Sequence, residues 1–160
     1  MSAIKRVFDL LPYNMDKFPK DNFVNGKQAG QWISYSTKQF VDTANNLSRG
    51  LIHKGMGKES RVAVMAHNCP EWNITDFAIM QIGAYQVPLY PTLAEQDIRF
   101  ILKDAEINIV FVADEKLFQK VKAAVDELQM PILIYTLTEV PGATNWKTLV
   151  EEGAAQPQIN

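Results

Sequence analysis

The sequence predicts an α/β fold: a layered, mostly parallel sheet with helices on both faces, preceded by a short helix and a small β-hairpin. Nearly continuous apolar runs recur as "RVAVMA" (61–66), "AYQVPLY" (84–90), "INIVFVA" (107–113) and "PILIYT" (131–136), as strands buried on both faces should. Between them lie segments with apolar residues at helical spacing, bounded by residues that start or stop helices. Strands that alternate with helices imply parallel neighbours joined by right-handed crossovers.

The elements follow in chain order. Residues 5–17 are expected to form a short helix carrying Val7, Phe8 and Leu11, ended near Pro19. Residues 21–35 read as a hairpin, with Phe23, Trp32, Ile33 and Tyr35 suited to a pleated surface and Asn25-Gly26 suited to a turn. The alternating core is expected over 36–135. Its first helix opens with Ser36 and Gln39 at capping-box spacing, runs Phe40, Ala44, Leu47 and Leu51 along one face, and stops at Gly55. Pro70 suits the first turn of the next helix, where its missing N–H would have no partner anyway, and Trp72, Phe77, Ile79 and Met80 line that helix until Gly83. Thr92 and Glu95 make a second capping-box pair ahead of Ile98, Ile101, Leu102 and Ala105. Asp114 precedes a helix carrying Leu117, Val121, Ala124 and Leu128. A final helix is expected over 145–152, capped by Asn145, with a polar tail over 154–160.

At 160 residues the chain fits one domain, or one lobe of something larger. The 16 Lys and Arg against 18 Asp and Glu supply no field that would attract nucleic acid. One cysteine excludes an internal disulfide, and Lys5, Arg6 and Asp9 interrupt any apolar signal segment near the N-terminus. The chain therefore reads as cytoplasmic. No apolar stretch is long enough to span a bilayer, so any membrane contact would be peripheral, and for a full-length parent chain it is expected at the inner membrane surface.

Sheets of this kind bind ligands beyond the carboxyl ends of their strands, here near 66–70, 90–94 and 112–115. That draws attention to "HNCPEW" (67–72), which places the only cysteine beside a histidine and a glutamate. Cys69 as nucleophile with His67 as base lacks a third orienting group, and the plainer reading is a small cysteine packed under a helix, with Asn68 or Cys69 as its cap and Glu71 complementing the dipole. A zinc site built from His67, Cys69, Glu71 and His53 lacks the paired ligand spacing such sites show, and His53 fits better beside the last carbonyls of its helix. "GKESR" (57–61) and "VNGKQAG" (24–30) hold glycine and lysine without phosphate-loop spacing. Glu106, Asp114 and Glu115 have no evident acid–base partner, and Trp72 and "PLYPT" (88–92) read as core and a stiffened strand exit. No residue is assigned a catalytic, cofactor-binding or metal role. Residue chemistry alone leaves open a stand-alone α/β binding or interaction module.

The order of segments nevertheless resembles a specific family. "WISYSTKQFVDTANNLSRGLIHKGMGKESRVAVMAHNCPEW" and "QIGAYQVPLYPTLAEQDIRFILKDAEINIVFVAD" are similar to the N-terminal region of adenylate-forming enzymes, with "NCPEW" and "VPLYPT" pointing to the long-chain fatty acyl-CoA synthetases. Where that family commonly has arginine, this chain has Cys69. The resemblance implies that residues 1–153 form the N-terminal subdomain of the adenylate-forming fold, cut just before the phosphate loop. It implies for the full-length enzyme an ATP-dependent ligation of a fatty acid to coenzyme A through an acyl-adenylate, with magnesium. The piece itself would then be a scaffold without cofactors or activity, and would self-associate through the surface that packs on the missing subdomain.

Overall fold

The computed structural model describes residues 4–28 and 30–158, so position 29 of the expected hairpin and positions 159–160 of the expected polar tail lie outside the described residues. A 3-10 turn (Val7–Asp9) runs into α1 (Leu10–Lys17), which is held to the body by buried Leu11. Then come β1 (Val24–Gln28) and β2 (Gln31–Tyr35), which pair antiparallel. Asn25 and Gly26 lie within β1, opposite Ser34 and Ile33, and not at the turn. The chain reverses around Gly30, whose φ of +79° suits glycine. Gly26 answers to a distant neighbour instead: a Cβ there would stand 2.5 Å from Pro70 Cδ.

Helix α2 (Thr37–His53) begins with a complete capping box, Ser36 Oγ accepting the Gln39 N–H and Gln39 Oε1 accepting the Ser36 N–H. It ends at Gly55, whose φ is +83°. The core continues as β3 (Arg61–Met65), α3 (Pro70–Gln81), β4 (Tyr85–Leu89), α4 (Glu95–Asp104), β5 (Ile109–Val112), α5 (Glu115–Leu128), β6 (Leu133–Thr136), β7 (Thr144–Asn145) and α6 (Lys147–Ala154). All five core strands are parallel, in the order β4-β3-β5-β6-β7. Pro88 sits in β4, an edge strand, where a missing N–H is tolerated.

Strand alternation divides the core in two. Val62, Val64, Ile109, Phe111 and Tyr135 face α2, α3 and α6, while Ala63, Met65, Val110 and Val112 face α4 and α5. In α3 the fully buried apolar stripe is Ile74, Ala78 and Ile79, with Trp72 and Phe77 only half-buried beside it. The Thr92–Glu95 capping box does not form: the Leu93 N–H turns back on the Tyr90 carbonyl at 3.1 Å, so α4 starts later, with Ala94 at its cap position. Asn145 supports α6 from one residue further out than expected, its Oδ1 accepting the Lys147 N–H at 3.0 Å while its backbone belongs to β7.

Candidate functional site at the carboxyl ends of the strands

From β3 the chain crosses to β4 on one side, and from β5 it crosses to β6 on the other. The crevice where ligands settle in such sheets therefore lies beyond the carboxyl ends of β3 and β5. Residues 66–69 leave β3 and Ala113 and Asp114 leave β5 at this end of the sheet. The Ala113 N–H extends the β3–β5 ladder by donating to the Met65 carbonyl at 3.0 Å, and the Thr138 hydroxyl donates to the Ala113 carbonyl at 2.9 Å. Asp114 is engaged as a helix cap, its Oδ1 accepting the Leu117 N–H at 2.9 Å.

The "HNCPEW" turn unfolds accordingly. His67 and Asn68 are exposed, Cys69 holds the cap position of α3 without a side-chain cap bond, and Pro70 follows in the first turn. Glu71 departs from expectation: it lies in the first turn but is only 8% exposed, and the Tyr35 hydroxyl donates to its Oε1 at 2.9 Å. Burial, with the neighbouring Glu71 charge, pushes the Cys69 thiol up to about 11. Burial and Glu71 likewise push the Tyr35 hydroxyl well above its usual range. Two groups that keep their protons surround one carboxylate. Such an arrangement ties the hairpin to α3 but offers no thiolate at neutral pH.

The other candidates are dispersed. "GKESR" forms the turn into the amino end of β3, opposite the crevice, where the Gly57 N–H donates to Ser60 Oγ at 3.0 Å and Arg61 pairs with Glu106 at 3.0 Å. "VNGKQAG" is largely strand β1. His53 lies in the last turn of α2. Among the described residues no three His, Cys, Asp or Glu side chains gather to hold a metal ion. In "PLYPT", Tyr90 is 77% exposed. A cleft of about 380 Å³ opens beside the crevice between the hairpin and the sheet, lined by Tyr35, Glu71, Thr138, Glu139 and Trp146 among others. A larger one of about 570 Å³ lies away from the strand ends, between α1 and α2. The Tyr35–Glu71 pair is the feature sequence reasoning missed, because its partners are 36 positions apart and no local spacing signals them.

The chain that forms this parallel sheet, with its hairpin packed on the first crossover helix α3, was compared with the family of AMP-binding enzymes. Residues 11–159 match that family, and the chain belongs to it. Long chain acyl-CoA synthetase 5 of Arabidopsis thaliana is 28% identical over 165 residues, an alignment covering 99% of this chain and 22% of that protein. The long-chain-fatty-acid–CoA ligase ACSBG2 of Xenopus laevis is 24% identical over 156 residues, covering 94% and 21%. The chain thus spans about a fifth of the length of the curated relatives it matches. Among solved structures, the benzoate CoA ligase of Burkholderia xenovorans superposes with a TM-score of 0.74 at 15% identity, over 89% of this chain and 27% of that one. The anthranilate CoA ligase AuaEII, in complex with anthranoyl-AMP, gives 0.75 at 16%, over 92% and 27%. The shared fold is that of the N-terminal domain of adenylate-forming ligases.

Proposed function

We propose that these residues form the N-terminal, non-catalytic lobe of an ATP-dependent long-chain fatty acid–CoA ligase. The observation that carries this is the family match over residues 11–159, which accounts for nearly the whole lobe yet only about a fifth of the relatives' length. The names of the relatives favour a long-chain acid as substrate. No loop of phosphate-cradling spacing occurs in the sequence, and among the described residues no three His, Cys, Asp or Glu side chains gather, which supports placing the sites for ATP, magnesium and coenzyme A outside this lobe. Nucleotide and thiol chemistry is assigned to the rest of the ligase. What this lobe supplies is a rigid wall, with Tyr35 and Glu71 fixing the hairpin over the start of α3.

The test is to express the reading frame that contains these residues and to follow AMP and acyl-CoA formation with palmitate, benzoate and acetate. Palmitoyl-CoA formed with AMP release is expected. No thioester from any long-chain acid would reject the reading. The 160-residue chain alone is expected to release no AMP from ATP with any of the three acids, and turnover by it would overturn the scaffold role.

A further inference from the structure

Glu71 is a buried acid without a countercharge. It is 8% exposed, and among the described residues no Lys, Arg or His stands within ion-pair distance of it. A carboxylate is seldom taken this far out of water unless a cation accompanies it, because the lost hydration has to be replaced. The Tyr35 hydroxyl donates to its Oε1 at 2.9 Å, and Tyr35 and Cys69 both hold their protons beside its charge. These neighbours solvate the carboxylate but do not neutralise it. Glu71 also lines the cleft of about 380 Å³ between the hairpin and the sheet, so its charge faces open space.

The rest of the lining selects what enters. Glu139 and Lys147, both largely exposed, stand 3.9 Å apart and match each other, which leaves Glu71 as the uncompensated charge of the cleft. Tyr35 and Trp146 contribute aromatic surface, Trp146 at 2% exposure, and aromatic walls beside a carboxylate favour an organic cation. The Thr138 hydroxyl gives its proton to the Ala113 carbonyl, so it presents lone pairs to a further donor. A guanidinium brings five N–H donors on a flat frame that stacks on aromatic rings, and it sheds water more readily than an ammonium group. An anion would meet Glu71 with only Lys147 to receive it, and Lys147 is already matched.

We propose that this cleft is a binding site for an alkylguanidinium group, with Glu71 as its counter-ion and Tyr35 and Trp146 as its aromatic walls. The group has two sources of the same chemistry, an arginine side chain of the longer protein or a free guanidinium compound. The site is read from residues of this chain alone, so its failure would leave the ligase reading untouched.

Titration of the chain with ethylguanidinium, followed by proton–nitrogen correlation spectra of the indole N–H groups, tests it. The Trp146 signal is expected to move and saturate over roughly 1–10 mM probe, while neutral ethylurea, of nearly the same shape, leaves it in place. Trp32, 70% exposed with Lys27 over its ring, is expected to show no saturable change. Glu71→Gln keeps an oxygen that accepts the Tyr35 hydroxyl and is expected to weaken binding roughly tenfold or more. Glu59→Gln, on an exposed residue of the turn at the opposite end of the sheet, should leave binding unchanged. The comparison with ethylurea uses the unaltered chain, so it decides the matter even where Glu71→Gln fails to fold. Binding by the chain but not by the product of the longer reading frame supports the site and assigns the group to an arginine of that product. Binding by both supports the site and assigns it to a free compound. No saturable shift in the unaltered chain, an equal shift with ethylurea, or undiminished binding by a folded Glu71→Gln chain would overturn the proposal.

Discussion

Glu71 and its two neighbours show how one buried carboxylate sets the character of a turn. Its Oε1 takes the Tyr35 hydroxyl at 2.9 Å in a position that is 8% exposed. A buried charge stripped of a donor is costly, so Tyr35→Phe is expected to lower unfolding free energy by about 1–3 kcal/mol, measured by urea titration. Cys69 responds to the same environment in its proton affinity. Alkylation by iodoacetamide should rise with pH toward an inflection near 11, where the thiol loses its proton, and remain slow at neutral pH. The sign for stability follows, because the folded thiol binds its proton more tightly than the unfolded one, whose ordinary value is 9.0. This contribution is therefore fully present below about 9 and is lost as pH rises to about 11, which a comparison with Cys69→Ala across that window isolates. The residue types of this turn were plain in the sequence. The burial of Glu71 was not, because it depends on a hairpin folding back from 36 positions away.

Among the elements, those whose signals are local were legible. The Ser36–Gln39 capping box, Pro70 in the first turn and the glycine stop at Gly55 all act within a turn of their own helix. Misreadings arose where a distant contact or a competing turn governs. Asn25-Gly26 has the composition of a turn, yet Gly26 is in a strand where Pro70 leaves no room for a Cβ. Thr92 has the spacing of a cap, yet a backbone turn claims its neighbour. The α2–α6 crossing left no local trace either. A Cβ on Gly50 would meet the Leu149 carbonyl oxygen at 2.0 Å, and one on Gly153 would meet that of Asn46 at 1.8 Å. Gly50→Ala or Gly153→Ala must push the helices apart and is expected to destabilise by about 1–3 kcal/mol or more. Gly57→Ala, with nothing within 4 Å of its added Cβ, should shift the urea midpoint little by comparison.

At the scale of the whole molecule, apolar runs alternating with amphipathic segments were enough to give the layered parallel sheet, and resemblance was needed to give the family. Strand order, the two-residue β7 and the close helix crossing depend on three-dimensional packing, which a linear pattern does not encode. That crossing also bears on how the protein is made. The Arg49 Nε–H donates to the Gly153 carbonyl at 2.8 Å across 104 positions of sequence, and Lys54 reaches Glu152 at 2.9 Å. During synthesis, at roughly 5–20 residues per second, α2 waits on the order of 5–20 s for the segment that covers it. Over that interval the nascent chain presents the apolar face of α2 to solvent or to a chaperone, and α6 is the latch whose arrival ends the exposure.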